Sequence, residues 1–392
     1  MKRLLFYAVL ILVFSSCSKN EVDPDLPQDD TVSEPSLTFA EAQQVRQQAL
    51  AEWYTEMAAR LAENEELSAI HQDDLEMKYA YTIYGEEPEG GHSLWISLHG
   101  GGGAPAEVND EQWANQQVLY HPAEGIYLCP RAPWDAWNMW FKRPIDSLFE
   151  ELITTMVVLH GVNPDKVYLM GYSAGGDGVW RLAPRLADHW AAAAMMAGHP
   201  GDVELVNVRN LPFTLWVGQY DSDYDRNEEV RGKGFVLRRL HNADPDGYIY
   251  ECHVVPGKGH WMDLEDAAAL PWMAQFTRKS YPERIVWQQE EVLRKSFYWL
   301  RAPESELERG KKVVVSVNDN LVNIEQCDYS RLTMYFSDKF VDLDKPIKVV
   351  KGNVVLFEGS LARHESMIRK TLSQRNDPSY MFDCELTVKI EN

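Results

Sequence analysis

The sequence predicts an α/β fold: a mainly parallel sheet flanked by helices, followed by a small carboxyl-terminal β-rich domain. Three observations predict it. Short β-rich apolar runs (MKYAYTIYG, SLWISLHG, GIYLCPRAP, KVYLMG, LPFTLWVGQYD and YECHVVPG) each run into a Gly, Pro or Asp turn. Helical stretches at 146–160, 178–187 and 228–240 separate several of them. After Trp299 the texture changes: beyond the charged connector ESELERGKK, the runs KKVVVSVND, RLTMYFS, IKVVKGNVVLFEG and DCELTVKIE read as strands. KGN makes a hairpin turn between two of them, and 365–373 is a helical or loop insert.

Taken from the amino terminus, Lys2 and Arg3 precede the short apolar run LLFYAVLILVF, and Ser15 and Ser16 precede Cys17. This is the pattern of an export signal, and the apolar run is short for a membrane span. FSSC resembles a bacterial lipobox, with Phe14 where leucine is usual. It makes Cys17 the lipidated residue and the mature amino terminus, the alternative being an ordinary secretory signal cut nearby. The chain is then expected to be exported and lipid-anchored in the cell envelope, on the periplasmic or surface side of the outer membrane. The expected boundaries are a signal over 1–17, a polar, Pro-containing tether over 18–36 and a helical segment over 37–76. A catalytic domain over 77–302 and the β-rich domain over 303–392 complete the chain. In the helical segment Val45, Ala49, Trp53, Met57 and Leu61 recur every fourth residue and form one apolar face.

Composition narrows the function classes. The formal charge of −22 over 392 residues argues against a nucleic-acid partner, which needs clustered Lys and Arg. Cys129, Cys252, Cys327 and Cys384 lack the spacing of a zinc site, so no metal is expected. Cys129 and Cys252 read as core thiols, and a Cys327–Cys384 bridge stays open.

The chemistry centres on KVYLMGYSAGGDGVW, in which Ser173 sits in a Gly-x-Ser-x-Gly turn between a strand and a helix. A serine needs a base to become a nucleophile. His260, in the Gly-rich loop PGKGHWMD after a later strand, is the best placed; His253 and His241 are the competitors, and His199 is expected near the site. WISLHGGGGAP ends a strand in glycines, where the Gly101 N–H, with the Ala174 N–H after the serine, suits an oxyanion. The same loop lacks the lysine and spacing of a phosphate-binding loop.

SLHGGGGAP, MGYSAGGDG, VGQYDSDYD and PGKGHWMD follow one another as oxyanion loop, nucleophile, acid and base do in α/β-hydrolases, and over residues 75–300 the chain resembles that superfamily. It looks most like the esterase branch holding dienelactone hydrolases, polyhydroxybutyrate depolymerases and feruloyl or acetylxylan esterases. The resemblance implies Ser173 as nucleophile, His260 as base and then acid, an Asp between them, an acyl-enzyme intermediate and no cofactor. It implies a small ester or acylated glycan as substrate, with the membrane met only through the lipid anchor. A prolyl-oligopeptidase-type peptidase is the second reading. A surface glycan-binding lipoprotein with a degenerate hydrolase domain is the third.

The acid lies among Asp221, Asp223 and Asp225. Counted as a calcium loop from Asp221, the sixth and twelfth positions hold Arg226 and Gly232 instead of Gly and Glu, so that reading fails. Asp221, three residues past Gly218, is in the position family members commonly use; Asp225 is the rival, otherwise suited to capping a helix. Trp137 and Trp140, with neighbouring Trp134, and Trp261 beside the base are expected either to bind substrate by stacking or to pack their loops down.

Overall fold

The computed structural model describes residues 34–390, so Cys17 and the export signal lie outside the described residues. Eight strands form the main sheet: β1 Ala69–Gln72, β2 Leu75–Tyr84, β3 His92–Leu98, β4 Gly125–Pro130, β5 Val162–Tyr172, β6 Ala192–Met196, β7 Phe213–Gly218 and β8 Tyr250–Val255. Their spatial order is β1-β2-β4-β3-β5-β6-β7-β8. β2 runs antiparallel to β1 and β4, whereas β3 to β8 are parallel. The sheet therefore begins at Ala69, ahead of the expected boundary at 77, because AIHQ pairs with LEMK as a hairpin.

Burial on both faces explains the unbroken apolar runs. In β3, Leu94, Ile96 and Leu98 point into one core with Leu148 and Leu152 of α3 (Ile145–His160) and Val179 and Leu182 of α4 (Ala174–Arg185). The alternate residue Trp95 joins the opposite core with Met196, Leu270 and Met273. The remaining helices are α1 Phe39–Leu67, α2 Ala106–Gln116, α5 Arg226–Ala243, α6 Ala269–Met273 and α7 Glu365–Arg375. α1 starts at a capping box between Thr38 and Glu41. Its apolar face buries Ala49, Trp53, Met57 and Leu61 against Ile368 and Leu372 of α7.

The carboxyl-terminal region is β-rich. Strands β9 Arg284–Gln288, β12 Lys312–Asn318, β13 Leu321–Cys327, β15 Ile347–Lys351 and β16 Val354–Gly359 form a sheet in the order β16-β15-β13-β12-β9. A second sheet orders β10 Ser296–Phe297, β11 Leu300–Arg301, β14 Arg331–Phe336 and β17 Cys384–Lys389 as β10-β11-β14-β17. The expected boundary at 302 falls inside this region, since β9 pairs with β12 and β11 with β14. One continuous core joins Leu332, Phe336 and Phe382 to Leu152 of α3 and to Leu186, which follows α4.

Buried charges add to that junction. Arg278 binds Asp165 and Asp377, and Arg375 of α7 binds the fully buried Asp188 at 2.7 Å. Burial works to raise the Asp188 carboxyl, but His189 and Arg375 outweigh it and hold it far below the usual carboxylate range. The four described cysteines are free thiols: Cys129, Cys327 and Cys384 are buried and Cys252 half-buried. No helix among the described residues is long and apolar enough to cross a membrane.

Candidate active site

Ser173 ends the β5 segment and opens α4 with φ 58° and ψ −120°, a conformation unusual for a residue bearing a side chain. The turn is tight enough that a Cβ on Gly175 would meet the Leu98 carbonyl oxygen at 2.1 Å, so only glycine fits there. The Ser173 N–H donates to the Met196 carbonyl at 2.9 Å, tying the turn to β6. The strained residue is thus fixed from two neighbouring strands.

Two further loops bring their side chains to Ser173. His260 Nε2 lies 2.9 Å from Ser173 Oγ, and His260 Nδ1 lies 2.8 Å from Asp221 Oδ2. Asp221 is 2% exposed, while Asp223 and Asp225 are exposed. Asp225 occupies the N-cap position of α5, but its side chain makes no capping hydrogen bond, so the capping role expected for it is absent. His253 instead stacks on Trp216 and meets Glu251, and His241 meets the Gly247 carbonyl. His199 lies near the serine without joining this line; its N–H donates to Asp177 at 2.6 Å.

Supporting residues that the sequence did not single out hold these loops. The Tyr172 hydroxyl donates to the His260 carbonyl at 2.5 Å and accepts the Met262 N–H at 3.1 Å. Arg226 Nη1 sits 3.4 Å from the second oxygen of Asp221, with its guanidinium over the Tyr224 ring. Asn109, fully buried on α2, donates to the carbonyls of Gly102 and Ala104 at 3.1 Å and to Asp135 at 2.8 Å. Its other amide atom lies so close to Gly101 (φ +107°) that a Cβ there would meet it at 2.0 Å. A buried asparagine in a helix is a poor helix former, and that is the one local signal that could have pointed to it.

His99 fixes the other end of the glycine loop. Its Nε2 accepts the Ala132 N–H at 3.1 Å, so its Nδ1 carries the proton donated to the Gly100 carbonyl at 2.7 Å. Burial pushes this imidazole down to about 4, and the neutral form is the one the two bonds require. The folded state therefore binds its proton near pH 4 and the unfolded chain near 6.5. This contribution to stability is complete above pH 6.5 and is lost as pH falls toward 4, at a cost of up to ~3 kcal/mol. Urea unfolding at pH 7 and pH 4.5 should show that slope flattened in His99→Gln, whose amide can make both bonds without titrating.

Two clefts meet at Ser173. One, of about 620 Å³, is lined by Val108, Gln112, Leu119, His260 and Trp261. The other, of about 530 Å³, is lined by Trp137, Ala174, Asp177, Arg181, Tyr224 and Arg226. Gly101 borders both. Of the tryptophans expected to bind substrate, Trp137 is 69% and Trp261 48% exposed. Trp140 is a correction: it is fully buried, donates to the His99 carbonyl at 2.9 Å and packs edge-on against the His99 ring. Neighbouring Trp134 is half-buried under the Lys142 ammonium.

No known family profile matches the chain, and no curated protein matches it. Solved structures do. A thermostable esterase is 19% identical over 54% of this chain, with a TM-score of 0.40, and the chain spans 62% of that protein's length. A carboxylesterase from Mesorhizobium loti is 20% identical over 53% of this chain and 99% of its own, with a TM-score of 0.38. A ferulic acid esterase is 16% identical over 53% and 96%, also at 0.38. At such scores the assignment has to rest on the chain itself. With six parallel strands preceded by an antiparallel one, a serine at the turn after β5, an aspartate after β7 and a histidine after β8, the chain has the α/β-hydrolase fold.

Proposed function

We propose that the protein is a serine carboxylic-ester hydrolase working through Ser173, His260 and Asp221. The observation that carries this is the hydrogen-bonded line from Asp221 to His260 to Ser173, with both contacts under 3 Å and the serine on a strained turn. His260 Nε2 takes the Ser173 proton as Oγ attacks the ester carbonyl. The N–H groups of Gly101 and Ala174 receive the oxyanion. His260 then returns the proton to the departing alcohol, leaving an acyl-enzyme that a water molecule, deprotonated by the same imidazole, hydrolyses. Asp221 holds the imidazole in the tautomer that presents a bare Nε2 to the serine.

An acylated glycan is the proposed substrate, supported by the exposed Trp137 and Trp261 beside the serine. The export signal and FSSC motif support a lipid-anchored location through Cys17. The test is labelling with a fluorophosphonate followed by peptide mass analysis. The adduct is expected on Ser173, with loss of nitrophenyl butyrate hydrolysis in step with labelling. An adduct elsewhere, or full activity after complete labelling, would reject the reading. Hydrolysis of aminoacyl anilides faster than esters would favour a peptidase.

A further inference from the structure

We propose, on the ester-hydrolase reading above, that Arg226 is a positioning residue. Its guanidinium balances two carboxylates that face His260 and so keeps the imidazole free to act as a base at mildly acidic pH.

The backbone is bent to put Arg226 there. Tyr224 (φ 57°, ψ 23°) and Asp225 (φ 56°, ψ 26°) are consecutive left-handed residues, and neither is a glycine. Such strain persists only where surrounding contacts enforce it, and it gathers at functional sites. This turn brings the first residue of α5 back over Asp221. The Arg226 side chain is largely buried there, donates to the Asp223 carbonyl at 3.2 Å and lies over the Tyr224 ring. Its Nε is buried with no hydrogen-bond partner among the described residues, a cost that the helix itself does not require.

The charges around His260 show what Arg226 does in that place. Asp221 Oδ2 meets the imidazole at Nδ1, and Arg226 Nη1 meets the other oxygen of the same carboxylate. Asp177, on the first turn of α4, lies near enough to act on His260, His199 and Arg226, and burial pushes its carboxyl up. The Tyr172 phenol at the end of β5 is also pushed up by burial and stays neutral. On the histidine's own loop, Lys258 is paired with Asp263 at 2.6 Å and Glu265 at 3.4 Å. Arg226 thus faces both Asp221 and Asp177. Two anions beside an imidazole favour its protonated form, which cannot accept the Ser173 proton. A guanidinium that offsets them favours the neutral form, and it keeps its charge at every pH at which the fold survives. Removing Arg226 therefore moves the acid limb of kcat/KM to higher pH.

The experiment uses the full chain and follows two rates from pH 4.5 to 9: kcat/KM on nitrophenyl butyrate, and fluorophosphonate labelling of Ser173. Arg226→Gln is expected to move the acid limb of both upward by ~0.5–1 pH unit. Its loss at pH 5.5 should then exceed its loss at pH 8 by ~3- to 10-fold. Arg226→Lys should hold the limb within ~0.2 unit of wild type. Guanidinium ion added to Arg226→Ala should return the limb toward wild type, because the cleft that Arg226 borders is open to a small cation. Asp177→Asn in the Arg226→Gln background should reverse more than half of the shift. Asparagine there still accepts the His199 N–H, so the charge alone is removed. An unmoved limb in Arg226→Gln, or an equal shift in Arg226→Lys, would overturn the proposal and leave the esterase reading intact. The same holds if neither guanidinium ion nor Asp177→Asn restores the limb. Ester hydrolysis that is absent or survives Ser173→Ala would overturn both.

Discussion

Ser173→Ala is expected to lower kcat on nitrophenyl butyrate by ~10⁴- to 10⁶-fold, with KM changed less than about threefold. The hydroxyl is the bond-forming group, 2.9 Å from His260 Nε2, and alanine leaves no oxygen at that position. Alanine keeps the backbone at φ 58°, so the turn and both clefts are retained and the melting temperature should move little. A residual rate above that of water would come from the oxyanion donors and from binding. Steady-state kinetics on a freshly purified variant, with the fluorophosphonate as a check for contaminating enzyme, decides it. Activity within tenfold of wild type would remove Ser173 from the mechanism.

Asp221→Asn is expected to cost ~10⁴-fold in kcat, and Asp225→Asn less than about twofold. Asparagine at 221 can still face His260 Nδ1, but its amide N–H favours the tautomer with the proton on Nε2, which can no longer accept from the serine. The loss therefore appears as chemistry without unfolding. Asp225 is exposed and makes no cap, so the same change there removes nothing the reaction uses. Equal effects at the two positions would mean that the 2.8 Å contact to Asp221 has no catalytic consequence.

Much of this arrangement was legible because it is local. A strand, a glycine-flanked serine and a helix in succession describe the turn at Ser173. The resemblance to α/β-hydrolases, in which the acid commonly sits three residues past such a glycine, singles out Asp221 from two neighbouring aspartates that look the same in composition. What was hidden depends on contacts between distant segments. Arg226 and Tyr172 matter through residues they meet only after folding, at Asp221 and at the His260 backbone. The tryptophan cluster misled at Trp140 because spacing along a loop does not say which side faces the core. The pairing of RIVWQ with KVVVS, which runs across the expected boundary at 302, was hidden for a related reason: nothing in either run states its partner.

The charged seam beneath the carboxyl-terminal sheets sets terms for recombination. Asp188 lies between α4 and β6 of the main sheet, yet Arg375 comes from the far end of the chain; Asp165 likewise shares Arg278 with Asp377. A buried carboxylate deprived of its cation is among the costliest defects a fold can carry. Swapping the last third for a foreign module would thus strand anions in the host unless the donor brought a cation to the same spot.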